Sequence, residues 1–151
     1  MSEQQKKTPE SRARASALGS LAMREHSCAE LRTKLLNKNH DEAIVDRLIV
    51  ELLEHDYVSD QRFAESYWRS RSAKGYGVDR ISRELSQKGV SAAVIEQARA
   101  EADIDFYAVV ESVYQKKYKG EPWSNYQEKA KRQGFLYRRG FATEYIRHVI
   151  D

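Results

Sequence analysis

Cysteine and proline are scarce in this chain: it has one of the first and two of the second in 151 residues. The lone Cys28 cannot close a disulfide within the chain, so a reducing cytoplasm is the expected setting. No stretch approaches the ~20 apolar residues of a membrane-spanning helix, and Met1–Arg14 lacks the apolar core of a signal peptide. Long runs of alternating apolar and polar residues are missing too, which argues against a sheet. Phe135–Phe141 is the one segment that would pass for a strand, and its match to the repeats described below favours helix. Pro9 and Pro122 both fall outside the helices that the pattern suggests, as an all-helical chain requires.

Catalytic signatures are also lacking. There is no Gly-rich phosphate loop followed by Lys-Ser/Thr, no HExxH pair and no nucleophile elbow. His26 and Cys28 lie close in sequence, but a structural zinc site takes four ligands and no second pair follows. His40, His55 and His148 each stand alone near a helix end. Asp103 and Asp105 suit N-caps of the following helix better than an acid–base pair. The expectation is therefore a protein that is not an enzyme, with no cofactor, no metal and no small-molecule substrate.

A surplus of one charge is absent as well: 26 basic residues face 23 acidic ones, for a net +3. The charge is banded, however. Met1–Lys38, Arg69–Lys88 and Gln115–Arg139 are basic, whereas His40–Asp60 and Gly89–Ser112 are acidic. If the helices of successive units line up, the bands give one basic face and one acidic face. If they do not, the charges only solvate their own helices.

What the chain does have is a repeat of about fifty residues. Leu31, Leu35, Lys38, Asn39, Asp41, Ile44 and Val45 correspond to Ile81, Leu85, Lys88, Gly89, Ser91, Val94 and Ile95. The third copy reads Arg132, Leu136, Arg139, Gly140, Ala142, Tyr145 and Ile146. Each copy is a helix with an apolar pair four residues apart, a basic residue, Gly or Asn, and then a second helix. A period of this size marks stacked helical units and a binding surface rather than a catalytic pocket.

The reading is all-α, with three tandem three-helix repeats: residues 1–10 a disordered N-terminal tail, 11–56 repeat 1, 57–102 repeat 2 and 103–151 repeat 3. In repeat 1, the apolar face of the first helix is Ala13, Ala17, Leu18, Leu21 and Ala22. Ser27 and Glu30 form a capping box, and Asp41 caps the face of Ile44, Val45, Leu48, Ile49, Leu52 and Leu53. In repeat 2, Ser59 and Ser91 cap helices, Gly75–Gly77 breaks one, and Gly89 takes a left-handed C′ position. Phe63, Tyr67, Trp68, Leu85 and Ile95 are assigned to the core. In repeat 3, Gly120–Asn125 is an inserted loop, in which Trp123 is either an exposed contact or a plug folded back on the protein. Thr143 is expected to take over the cap that Ala142 cannot supply.

The middle repeat carries Tyr57-Val58-Ser59-Asp60, Arg62-Phe63-Ala64, Arg71, Gly75-Tyr76-Gly77, Ile81, Glu84-Leu85 and Lys88-Gly89-Val90. With Arg24–Ser27, Glu30-Leu31 and Lys34-Leu35 before it, and Asp103-Ile104-Asp105, Lys117-Tyr118 and Phe135–Phe141 after it, this ordered set closely resembles the RecX family of bacterial recombinase regulators. The resemblance runs from about Arg14 to the C-terminus. Asn39 departs from the glycine of the other copies, and Ala142 from the capping residue.

The resemblance implies an elongated, curved row of three-helix units and a partner in the RecA recombinase filament on single-stranded DNA. Family members modulate that filament, mostly by inhibition of its recombinase, ATPase and co-protease activities. Arg69, Arg71, Lys74, Tyr76, Arg80, Arg83 and Lys88 are the candidate contacts for RecA or DNA. The alternative is a direct DNA binder, whose short helices and tight turns act as helix-turn-helix units with basic second helices against phosphates.

Overall fold

The computed structural model describes residues 7–151, and the described residues form nine helices and no strand. They fall into three groups of three. The first is α1 (Pro9–Met23), α2 (Cys28–Asn37) and α3 (Glu42–Glu54). The second is α4 (Asp60–Ala73), α5 (Val78–Gln87) and α6 (Ala92–Ala102). The third is α7 (Phe106–Tyr118), α8 (Tyr126–Arg138) and α9 (Thr143–Val149).

Helix starts follow side-chain chemistry. Ser27, Asp41, Ser59, Ser91, Asp105 and Asn125 each accept a hydrogen bond from a first-turn amide that would otherwise lack a partner. At Ser27 the box is complete, because Glu30 also accepts from the Ser27 amide.

Three expectations about helix ends need correction. Thr8 caps α1, with Pro9 at its first position, so Thr8–Glu10 is ordered helix entry rather than tail; residues 1–6 lie outside the described residues. Thr143 does not cap α9: the N-cap is Ala142, which offers no side-chain bond. Asp103 is not an N-cap either, since it ends α6 in the left-handed region at φ 50°, and Asp105 alone caps α7.

The second helix of every unit ends in the same way. Asn39, Gly89 and Gly140 have φ of 67°, 82° and 100°. The next amide in each case, that of His40, Val90 or Phe141, donates back to Leu35, Leu85 or Leu136 at 3.3, 3.2 and 3.1 Å. This is the Schellman closure, in which a left-handed residue turns the chain and the last carbonyls find donors. The three leucines are buried, so the turn also fixes the unit's apolar centre. Asn39 reaches the same conformation as the glycines, because asparagine tolerates it.

The apolar side chains form two cores rather than three. Ala13, Ala17, Leu31, Leu35, Val45, Leu48, Leu52 and Val58 close the first unit on itself. Leu18, Ala22 and Leu53, expected on its inner faces, are exposed. From Phe63 to Ile150 one continuous cluster joins the second and third units. Trp68 is its centre: it is fully buried, donates from Nε1 to the Ile95 carbonyl at 3.0 Å and meets the Phe106 ring edge-on at 5.9 Å. Trp123 packs half-buried against this cluster, so the inserted loop folds back as a plug.

Candidate interaction surface

Two seams position the residues singled out in the sequence. At the seam of the second and third units, the Gly77 amide donates to the Arg139 carbonyl at 2.8 Å, and the Asp79 amide donates to the Gly140 carbonyl at 3.0 Å. The C-terminus of α8 thereby abuts the N-terminus of α5. At the other seam the Ser27 hydroxyl donates to the Lys88 carbonyl at 2.8 Å, so the end of α5 abuts the start of α2. The second helices are thus stacked head to tail, the partial negative charge of each C-terminus facing the positive end of the next.

Tyr76 lies between these ends. Its ring has the guanidinium carbon of Arg71 at 4.1 Å, of Arg80 at 4.3 Å and of Arg139 at 4.9 Å from its centroid. Three cations around one ring need a counter-charge, and Glu84 supplies it. Its carboxylate accepts from Arg71 Nε at 3.0 Å and Nη2 at 3.1 Å, from Arg80 Nε at 3.3 Å and from the Tyr67 hydroxyl at 2.9 Å. Burial works to raise the Glu84 carboxyl, but the bonds from Arg71, Tyr67 and Arg80 outweigh it and hold the group below the ordinary range. Burial and the same carboxylate push the Tyr67 phenol up to about 12.

The seven candidates therefore separate into two kinds. Arg71, Tyr76, Arg80 and Lys88 are half-buried and belong to the seams, with Lys88 reaching Glu30 of the first unit at 3.7 Å. Arg69, Lys74 and Arg83 are exposed. Arg69 has only a loose pair with Glu65 at 3.5 Å, and Lys74 and Arg83 have no ion-pair partner among the described residues.

Three participants were missed by sequence reasoning. Glu84 passed as a motif letter, Tyr67 as core, and Arg139 as the repeat equivalent of Lys88. The signals were the i, i+4 spacing of Arg80 and Glu84 and the recurrence of a basic residue just before each Gly or Asn.

In the first unit, the acidic band of α3 answers the basic residues of α1 and α2 through Arg14–Glu51, Arg32–Glu42 and Arg32–Asp46. His26 is buried, with Nδ1 against the Arg24 carbonyl at 3.0 Å, and desolvation lowers its pKa. The Cys28 thiol is pushed up to about 11 by burial and by Asp60. Among the described residues no group of three His, Cys, Asp or Glu side chains is placed to hold a metal, and no helix is long and apolar enough to cross a membrane.

Three family models match the chain in order. They are described as the first, second and third three-helix domains of RecX, and they cover residues 13–52, 59–98 and 103–150. The chain is similar to the "Regulatory protein RecX" of Vibrio parahaemolyticus serotype O3:K6, at 36% identity over 148 residues, 98% of this chain and 96% of the relative. Its likeness to the protein of that name from Shigella sonnei is 43% over 140 residues, 85% and 84% of the two chains. Among solved structures, RecX from Lactobacillus salivarius superposes with a TM-score of 0.77 over 94% of each chain at 22% identity. A second, described as regulatory protein RecX, gives 0.76 over 92% of this chain and 70% of that one at 20% identity.

Proposed function

Because this chain belongs to the RecX family of regulatory proteins, we propose that it binds the RecA filament on single-stranded DNA and restrains its recombinase, ATPase and co-protease activities. It acts in the cytoplasm as a regulator and carries out no chemistry of its own. The observation that carries this reading is the match of all three units, in order, to the three domains of the family.

The architecture is compatible with a filament as partner. Units joined end to end offer a long surface, and a long surface reaches more than one protomer. Binding the assembled filament better than free subunits shifts the equilibrium by that difference in affinity and by nothing else. Bridged protomers are held against the movements that accompany ATP turnover. Arg69, Lys74 and Arg83 are the contacts available on the second unit, since the other four candidates are occupied in the seams.

The test is the single-stranded-DNA-dependent ATPase of RecA from the same organism, titrated with the protein. Inhibition at ratios well below one per RecA is expected. No inhibition up to equimolar protein would overturn the reading.

A further inference from the structure

In the first unit Arg14, Arg24 and Arg32 each face a carboxylate, while Arg12, Lys38 and Arg47 are exposed with no ion-pair partner among the described residues. Around α8, Arg132 is paired with Glu128, but a larger group of cations is left without a carboxylate. Lys116 and Lys117 on α7, Lys131 and Arg138 on α8, and Lys74 and Arg83 on the second unit are all exposed, and none has an ion-pair partner among the described residues.

These six are not scattered. A cleft of about 600 Å³ opens where the end of α4 meets α7 and α8, and it holds Lys74, Lys116 and Lys117. A second, of about 580 Å³, shares Lys117 and Phe135 with the first and adds Lys131 and Arg138. A third, of about 470 Å³, shares Arg138 with the second and ends at Arg83. The acids along the way are Glu128 and Asp79. Glu128 is taken up by Arg132 at 2.7 Å, while Asp79 stands in the first turn of α5. Beside Arg138 and Arg83 the third cleft displays Tyr137, a residue 71% exposed.

We propose that this track, running around α8 from Lys74 to Arg83, is a binding surface for one strand of nucleic acid, with the lysines and arginines on its phosphates and Tyr137 stacked on a base. Unpaired cations in a row suit a polyanion, because each phosphate contact releases condensed counterions. An exposed aromatic ring among them is the feature that adapts such a groove to bases, since every base has a face to stack. The track turns around a single helix about 10 Å across. A duplex, stiff over roughly 150 base pairs, cannot follow that turn, whereas a single strand can.

The inference deepens the filament reading, and it rests on that reading for a strand within reach. It assigns the nucleic acid to the third unit and its edge with the second. It also differs from a helix-turn-helix mode, which would place the second helices in a duplex groove.

The experiment uses the full chain, a fluorescent dT oligonucleotide and no recombinase, with anisotropy followed against salt. Binding is expected to weaken with salt. Lys116→Ala together with Lys117→Ala should lower the log–log slope by about 1.4, at about 0.7 per lost single-strand phosphate contact. Tyr137→Ala should weaken binding about tenfold, as loss of one stacked base does, and Tyr137→Trp should restore it. All these side chains are exposed, and unchanged thermal melts would show that the fold is kept.

No binding of the oligonucleotide by the parent at low salt would overturn the track. So would binding that is indifferent to the lysine pair and to Lys131→Ala with Arg138→Ala. Displacement by poly-glutamate as efficient as by unlabelled oligonucleotide would overturn it in favour of an acidic peptide. The RecA ATPase is read separately on the same proteins. Inhibition without strand binding removes the track and leaves the filament reading; strand binding without inhibition does the reverse.

Discussion

A Cβ atom placed on Gly77 would stand 2.5 Å from the carbonyl oxygen of Gly140, closer than any real side chain allows. The contact carries the seam between the second and third units, and three glycines separate its two requirements. Gly77 needs only space, Gly120 needs only a positive φ of 77°, and Gly140 needs both, with Arg80 Cβ at 2.4 Å and φ 100°. Gly120→Ala should cost about 1 kcal/mol, the strain of a left-handed alanine. Gly77→Ala should cost at least about 2 kcal/mol, and Gly140→Ala more than either, as overpacking and strain add. Urea melts would check the order, and equal midpoints for Gly77→Ala and Gly120→Ala would contradict the seam geometry.

The two cores predict two unfolding events. Trp68→Ala removes the largest buried side chain of the α4–α9 cluster and should cost that cluster about 3–5 kcal/mol. The α1–α3 core shares no buried residue with it and should melt nearly unchanged. Hydrogen exchange read separately on the two parts is the direct measurement. Equal loss of protection in both would mean that the chain unfolds as one body.

Glu84 gives a pH signature. Its folded-state pKa lies below the ordinary 4.5, so the stabilisation it supplies is fully present above 4.5 and is lost as pH falls through the lower folded value. Glu84→Gln should destabilise by about 1–3 kcal/mol at pH 7, since Arg71 and Arg80 then crowd Tyr76 without a counter-charge. The difference from the parent should shrink below about pH 4. A difference that is the same at pH 7 and pH 3 would remove Glu84 from its central place.

Substitutions within the candidate surface should divide by burial. Arg69→Glu with Arg83→Glu should weaken inhibition of the RecA ATPase several-fold at an unchanged melting temperature. Arg71→Glu should lower the melting temperature by several degrees, because it places two carboxylates where an ion pair stood. A stable Arg71→Glu protein would show that the seam network is dispensable.

Cys28 reports on the first seam. With its pKa near 11, the thiol at pH 8 should react with a disulfide reagent roughly a hundredfold more slowly than an ordinary thiol. Its backbone amide is held by Asp60 Oδ1 at 2.8 Å across that seam. Asp60→Ala should lose this bond and speed the reaction.

The helices were legible in the sequence because their signals are local. A capping Ser or Asp, an apolar stripe and a Gly or Asn stop all act within a few residues, and the repeat supported them in its copies except at Ala142, where no side-chain cap exists. The tail failed at Thr8–Glu10, where a cap followed by proline is itself a helix start. The pairing of the units was not legible: the sequence shows three apolar stripes of one kind, and only the packing of Trp68 on Phe106 merges two of them. The surface was half legible. Charge placed Arg69, Lys74 and Arg83 outside, but Arg71 and Arg80 look the same in sequence, and it takes the fold to bring Glu84 and Tyr76 to them.

The head-to-tail column of α2, α5 and α8 has a mechanical meaning. Within each helix the rise per residue is fixed by the hydrogen-bond ladder, so the spacing between units resists stretching. Bending is another matter, because it concentrates at the joints, and the joints are unequal. Between α5 and α8 two backbone hydrogen bonds and a common core resist it. Between α2 and α5 the Ser27 hydroxyl, the Cys28 amide on Asp60 and flanking ion pairs tie the first unit to the second, with separate cores on either side. The column therefore has one firm joint and one weaker one, and bending is expected first between α2 and α5, where no common core resists it.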